Sequence, residues 1–210
     1  MNYDEWKETN WAKAHQDQDI SALSGHTLDG HLMGLGVYDL FLPDMDVLCI
    51  GVGTGEWVRE AAKRTTGQVW ALDVTPEAAV NLPKNVPLSI DQSQLPVHAF
   101  DLAMSLQVAI HMNNQDLDYQ IIGAIRSLKE NGVLAMHYKE PMDNEQVIDN
   151  REGASDEWLV VRNANVLRRR SYFDRMVDRA GGEIIARPTQ NVSPFFKVID
   201  VMVHIKRKQS

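Results

Sequence analysis

Residues 47–56 read VLCIGVGTGE, an apolar run that passes straight into three glycines, Gly51, Gly53 and Gly55, each separated by one residue. Few folds accommodate such a stretch. A short run almost free of polar residues fits a strand covered on both faces, as in a parallel sheet. Glycine then supplies the left-handed backbone, and the missing Cβ, that a tight strand-to-helix turn against a ligand needs. The next residues, GEWVREAAKR, have helical spacing, with Trp57, Val58, Ala61 and Ala62 on one side. The alternation repeats down the chain. QVWALDV, VPLSID, FDLAMSL and GVLAMHY read as strands. QDLDYQIIGAIRSL reads as an amphipathic helix, and TPEAAVNL as a helix with Thr75 at its N-cap and Pro76 at its first position. SYFDRMVDRAG is a further helix, and GEIIAR with VIDVMVHIKRK a closing strand pair. This order predicts an α/β fold: a doubly wound, mainly parallel, seven-stranded sheet with helices on both faces and a closing antiparallel strand.

With 210 residues, a single domain is expected. Residues 1–45 read as an N-terminal helical cap, 46–138 as the ligand-binding core, 139–170 as an inserted flap on the substrate side, and 171–210 as the closing helix and strands. The formal charge of −8 disfavours nucleic acid as a partner. The single cysteine, Cys49, rules out an internal disulfide framework and fits a reducing compartment. The first residues, MNYDEWKETN, lack the basic and apolar regions of a secretory signal, and no run approaches the length of a membrane span. A cytoplasmic protein without a membrane partner is expected, and a homodimer is compatible with the chain.

In open α/β sheets the ligand sits outside the carboxyl ends of the strands. Asp73 ends the second strand about 20 residues after the glycine turn, where a carboxylate accepts hydrogen bonds from ribose hydroxyls. Turn and acid together point to an adenosine-containing cofactor. A dinucleotide fingerprint would place its third glycine at position 56, which is Glu56. A carboxylate is a poor neighbour for a pyrophosphate at a helix N-terminus. S-adenosylmethionine, which has no phosphate, suits the turn better than NAD.

These residues resemble class I S-adenosylmethionine-dependent methyltransferases. VLCIGVGTG is similar to the first motif of that family and VWALDVT to the second, with Asp73 and Val74 in the ribose-binding segment. IDQSQLPVHAFDLAMS resembles the third and fourth segments, and AIRSLKENGVLAMHY the helix, turn and strand that close the family's common half. The resemblance covers residues 46–138. It implies a Rossmann-like fold, S-adenosylmethionine as cofactor, Asp91 and Gln92 flanking the adenine, and an acid in many relatives where this chain has Cys49.

Methyl transfer asks the protein to position and desolvate two partners, and a hydroxyl acceptor also needs a base. His111, just beyond the fourth strand, is the candidate base, since histidine titrates near neutral pH. Gln107 at the same strand end is a candidate contact to cofactor or substrate. His26 and His31, with Asp29 between them, suit a cap segment touching cofactor or substrate better than a metal site, because histidines are poor magnesium ligands and no carboxylate cluster accompanies them. His137 and Tyr138 end the fifth strand and are expected to line the acceptor pocket. Trp6 and Trp11 fit a staple holding the first helix to the core. Arg168–Arg170 read as a solvated charge run, ahead of an anion-recognising patch. The expected partner is a small-molecule acceptor, with oxygen ahead of nitrogen.

Overall fold

The computed structural model describes residues 37–141, 166–193 and 198–209. Seven strands form one sheet. In chain order they are β1 (Val47–Ile50), β2 (Val69–Leu72), β3 (Leu88–Ser89), β4 (Phe100–Ser105), β5 (Leu128–Pro141), β6 (Gly182–Ser193) and β7 (Val198–Arg207). Across the sheet the order is β3-β2-β1-β4-β5-β7-β6. The first five run parallel, and β7 lies antiparallel between β5 and β6. This is the expected mainly parallel sheet with its antiparallel closing strand. The strand order reverses between β1 and β4, so a crevice opens there beyond their carboxyl ends.

Three helices cover the sheet: α1 (Glu56–Arg64), α2 (Asn114–Ser127) and α3 (Arg170–Arg179). All four residues of β1 are buried, and their alternation divides the core. Val47 and Cys49 join Val58 and Ala61 of α1 with Ala71, Met104 and Met202 on one face. Leu48 and Ile50 join Leu117 and Ile121 of α2 with Phe173 and Met176 of α3 on the other. The apolar run in β1 therefore feeds two cores, which is why it carries no polar alternation.

Local differences from the sequence reading have physical causes. TPEAAVNL forms only a 3-10 helical turn, Pro76–Asn81, and Thr75 makes no side-chain cap bond. Pro83 follows at once, and the residue before a proline is driven out of the helical region, as the extended backbone of Leu82 shows. VPLSID contributes only Leu88–Ser89, because Asp91 already caps the next 3-10 turn, Gln92–Gln94. The turn expected after α2 is absorbed into β5 as a register shift: Leu128 pairs with Phe100, and Val133 with Leu102. Strand β5 then runs through Pro141, three residues into the stretch read as an insertion. The proposed tryptophan staple, Trp6 and Trp11, lies outside the described residues, as do His26, Asp29 and His31.

The residues displaced by that shift anchor the amino end of the sheet. Lys129 Nζ lies 2.8 Å from Asp46 Oδ2 and 2.7 Å from Asp101 Oδ2. The lysine hydrogen bond, helped by the N–H of Gln68, holds the Asp46 carboxyl below its usual value of 3.8. A carboxylate depressed in the folded state stabilises above its unfolded pKa, and that stability is lost as pH falls through the folded value. Lys129→Met should therefore lower the urea midpoint at pH 7, and the gap to wild type should close below about pH 3. A gap of constant size across that range would show that the charges contribute nothing.

Candidate functional site

The glycine turn is held from three sides. Asp73 Oδ2 accepts the Val52 N–H at 2.7 Å, and Oδ1 accepts the Thr75 N–H at 3.3 Å. Asn81, at the end of the 3-10 turn, donates from Nδ2 to Gly53 O at 2.7 Å. Arg59, one turn into α1, donates to Thr54 O at 3.0 Å and Asn81 O at 3.1 Å. Gly51, Gly53 and Gly55 have φ of 77°, 51° and 76°. A Cβ on Gly51 would run into the Val108 side chain, and one on Gly55 into the Asn81 carbonyl. The left-handed backbone and the close approach each require glycine here. The sequence reading missed Arg59 and Asn81. A lone buried asparagine in AAVNLP was the available signal.

Asp73 is 9% exposed, and its carboxylate, with about four lone-pair positions, keeps accepting capacity beyond these two bonds. Val74 and Ile90 stand exposed just past the ends of the neighbouring strands β2 and β3, and offer apolar surface for a planar base. Asp91 is exposed. Its Oδ1 accepts the Ser93 N–H at 2.8 Å and the Tyr119 hydroxyl at 3.3 Å. The backbone bond from Ser93 is the main cause holding this carboxyl below its usual value. Gln92 behaves differently from a ligand side chain. It is buried against Gly123 and donates to Tyr119 O of α2, which leaves only its backbone for a cofactor. A tight apolar cleft at the end of β1 is lined by Cys49, Ile50, Gly51, Trp57, Met104 and Leu106. Burial pushes the Cys49 thiol up to about 12, so it is a neutral, packed group where many relatives hold an acid.

The second wall rises from β4. Gln107 adopts φ 61°, a left-handed backbone that a non-glycine residue rarely takes, and no sequence signal betrays it. Val108 leads into a 3-10 turn, Ala109–His111, after which Asn113 caps α2 by accepting the Asp116 N–H at 2.7 Å. His111 is partly buried. Desolvation, with the nearby charges of Lys139 and His137, pushes its imidazole down to about 4, so it is neutral at physiological pH rather than poised to titrate there.

His137 and Tyr138 are adjacent in β5 and therefore point to opposite faces. His137 is fully buried, with Nε2 3.0 Å from Asp200 Oδ1 of β7, and Lys139 lies 3.6 Å from the same oxygen. Tyr138 packs into the other core, stacked on Phe173 at 4.0 Å, with its hydroxyl donating to Glu140. The expectation that Tyr138 lines the acceptor pocket therefore fails. The arginine run is not a solvated stripe either. Arg168 is completely buried, Arg170 is exposed but pairs with Glu140 at 3.0 Å, and Arg169 is exposed. Among the described residues no group of His, Cys, Asp or Glu is placed to hold a metal ion, and no helix is long and apolar enough to cross a membrane.

Residues 47–132 match the family model described as a methyltransferase domain. No curated protein sequence matches the chain. Among solved structures it resembles 1,6-didemethyltoxoflavin-N1-methyltransferase of Burkholderia thailandensis, at 13% identity and a TM-score of 0.67, over 96% of this chain and 87% of that one. It resembles an S-adenosylmethionine-dependent methyltransferase of Mesorhizobium loti at 15% identity and a TM-score of 0.67, over 88% and 100%. It also resembles the cyclase SpnF, at 15% identity and a TM-score of 0.61, over 92% and 81%. At these identities the structural likeness speaks for the fold. That fold is Rossmann-like, with the glycine turn inside the matched domain. Residues 47–132 thus match a methyltransferase domain, on a fold shared with solved methyltransferases.

Because Gly51 is constrained twice, Gly51→Ala should lower the melting temperature through two separable effects. The left-handed backbone costs an alanine about 1–2 kcal/mol, and the overlap with Val108 adds to it. Val108→Ala in the Gly51→Ala background should relieve the overlap and leave the backbone cost. Additive effects in that double-mutant cycle would show that the two residues do not meet.

Proposed function

We propose that this enzyme transfers the methyl group of S-adenosylmethionine to the oxygen of a small-molecule hydroxyl, and that the hydroxyl is an acidic one, such as a phenol, an enol or a hydroxylated heteroaromatic ring. The cofactor supplies an electrophilic methyl on a sulfonium, so the reaction needs a nucleophilic oxygen delivered in line and kept dry. Asp73 binds the ribose hydroxyls. Val74 and Ile90 face the adenine, with Asp91 and the backbone of Gln92 at its edge. The glycine turn carries the amino-acid portion past Cys49, and Gln107 faces the junction of cofactor and acceptor.

The observation that carries the acceptor reading is His111. Held neutral by burial and by Lys139 and His137, its imidazole accepts a hydrogen bond from a hydroxyl throughout the neutral range. Taking the proton outright is uphill by ~1.4 kcal/mol for every pH unit separating base from acceptor. That penalty favours acidic hydroxyls over aliphatic alcohols. The bound Burkholderia relative is crystallised with 1,6-didemethyltoxoflavin, a small molecule, which is in keeping with a small acceptor here. The charge of −8 supports an acceptor other than nucleic acid, and a cytoplasmic setting fits the single reduced cysteine. Cys49 favours a second reading, a relative that binds the cofactor without turning it over, because a thiol cannot offer the charge that an acid would give the cofactor's ammonium group.

Two measurements test these assignments. In calorimetry, Asp73→Asn should weaken S-adenosylhomocysteine binding by about 1–3 kcal/mol, and unchanged affinity would remove Asp73 from the cofactor site. With methyl-labelled S-adenosylmethionine and a panel of phenols, alcohols and amines, label should appear on phenolic oxygen, and His111→Ala should lower turnover by about a hundredfold while cofactor affinity holds. Label on amines alone would overturn the oxygen assignment. Tight S-adenosylhomocysteine binding with no labelled product across the panel would favour the non-catalytic reading.

A further inference from the structure

Arg168 is the largest fully buried side chain among the described residues. A guanidinium keeps its charge in every protein environment, so its complete burial demands acceptors arranged around it. It finds them on one short stretch. Nη1 donates to Ala109 O at 2.8 Å, Nη2 to Met112 O at 2.6 Å, and Nε to Asn114 Oδ1 at 3.0 Å. These acceptors bracket the 3-10 turn that presents His111. The backbone around Arg168 adds to the same seam. Val166 N–H donates to Ile110 O at 2.7 Å, Arg168 N–H donates to Lys139 O at 2.8 Å, and Leu167 forms a parallel bridge with Lys139. Lys139 is one of the two groups whose charge acts on His111, the other being His137.

We propose that Arg168 is a positioning residue for the acceptor side of the site: its guanidinium latches the chain that returns at residue 166 onto the turn carrying His111, and so fixes that imidazole relative to Lys139 and His137. The inference rests on the reading of His111 given above. The planar fork of arginine meets three acceptors in fixed directions, whereas the single ammonium of lysine does not span them. Arg170, two residues on, makes the contrast. It forks onto Glu140 at 3.0 and 3.1 Å, in the network that Glu140 shares with Tyr138, on the sheet face opposite His137.

The test needs no acceptor. The His111 ring resonance, assigned with His111→Gln, is titrated by NMR in the full chain, with S-adenosylhomocysteine affinity measured alongside. In Arg168→Lys the loosened turn should let water reach the imidazole, and its midpoint should rise by about one pH unit or more. Cofactor affinity should hold, because Asp73, Asn81 and Arg59 keep the glycine turn in place. Arg170→Gln should leave the midpoint where wild type has it. A loss of stability alone would not move His111 selectively. An unmoved midpoint in folded Arg168→Lys, or an equal shift in Arg170→Gln, would overturn the proposal. Should Arg168→Lys not fold, Asn114→Ala removes only the Nε acceptor and is read the same way: a rise supports the latch, and no shift overturns it. Failure of the labelled-methyl assay would sink the acceptor reading without touching this result.

Discussion

The bond from the Val52 N–H to Asp73 connects the end of β2 to the glycine turn that leaves β1. One carboxylate therefore holds the turn in its left-handed path and keeps accepting capacity beyond that bond. The rest of the site is arranged around that turn. Asn81 and Arg59 brace its far side, Val108 closes over Gly51, and Val108 also begins the segment that ends in His111. The glycine turn and the segment carrying His111 thus come together at Gly51 and Val108. A preorganised turn of this kind avoids the cost of ordering loose backbone when the ligand arrives.

The electrostatics of the two walls differ. The ends of β2 and β3 present carboxylates, Asp73 and Asp91, with apolar Val74 and Ile90 between them. Beyond β4, Lys139 and His137 act on the neutral imidazole of His111, with Asp200 behind them against both. Burial is the first cause that disfavours a proton on His111, and the charge of Lys139 adds to it. Neutral Cys49, in the floor of the cleft, contributes no charge to either wall.

Much of this was legible in the sequence, because it is written in local pattern. The apolar run into Gly51, Gly53 and Gly55 located β1, the turn and the start of α1. Asp73 followed from its distance to the turn, and the closing pair β6 and β7 from their own alternation. What escaped was decided by partners distant in sequence. Arg168 looked like part of a solvated charge run, because nothing near it reveals that the carbonyls of Ala109 and Met112 await it. His111 looked tuned to neutrality until Lys139 and His137 were placed beside it. Tyr138 was assigned to the pocket from its place at a strand end, yet the alternation of a strand sends it to the face opposite His137. Gln107 carries no mark of its left-handed backbone, since that conformation is imposed by the junction of β4 with the following turn.

The placement of β7 has a bearing on how the chain is made. It follows β6 in sequence but lies between β5 and β6 in the sheet, pairing with both over most of its length. Until β7 has left the ribosome, β6 has no neighbour to join and β5 keeps an open edge from Val133 to Pro141. Strands β1 to β4, with α1 and α2, precede these partners in the chain and pair among themselves without them, although their two cores are completed by Met202 of β7 and by Phe173 and Met176 of α3. A nascent chain therefore passes through an interval in which a long strand edge stays bare, a template for pairing with another chain. His137 and Lys139 obtain Asp200 only when that interval ends.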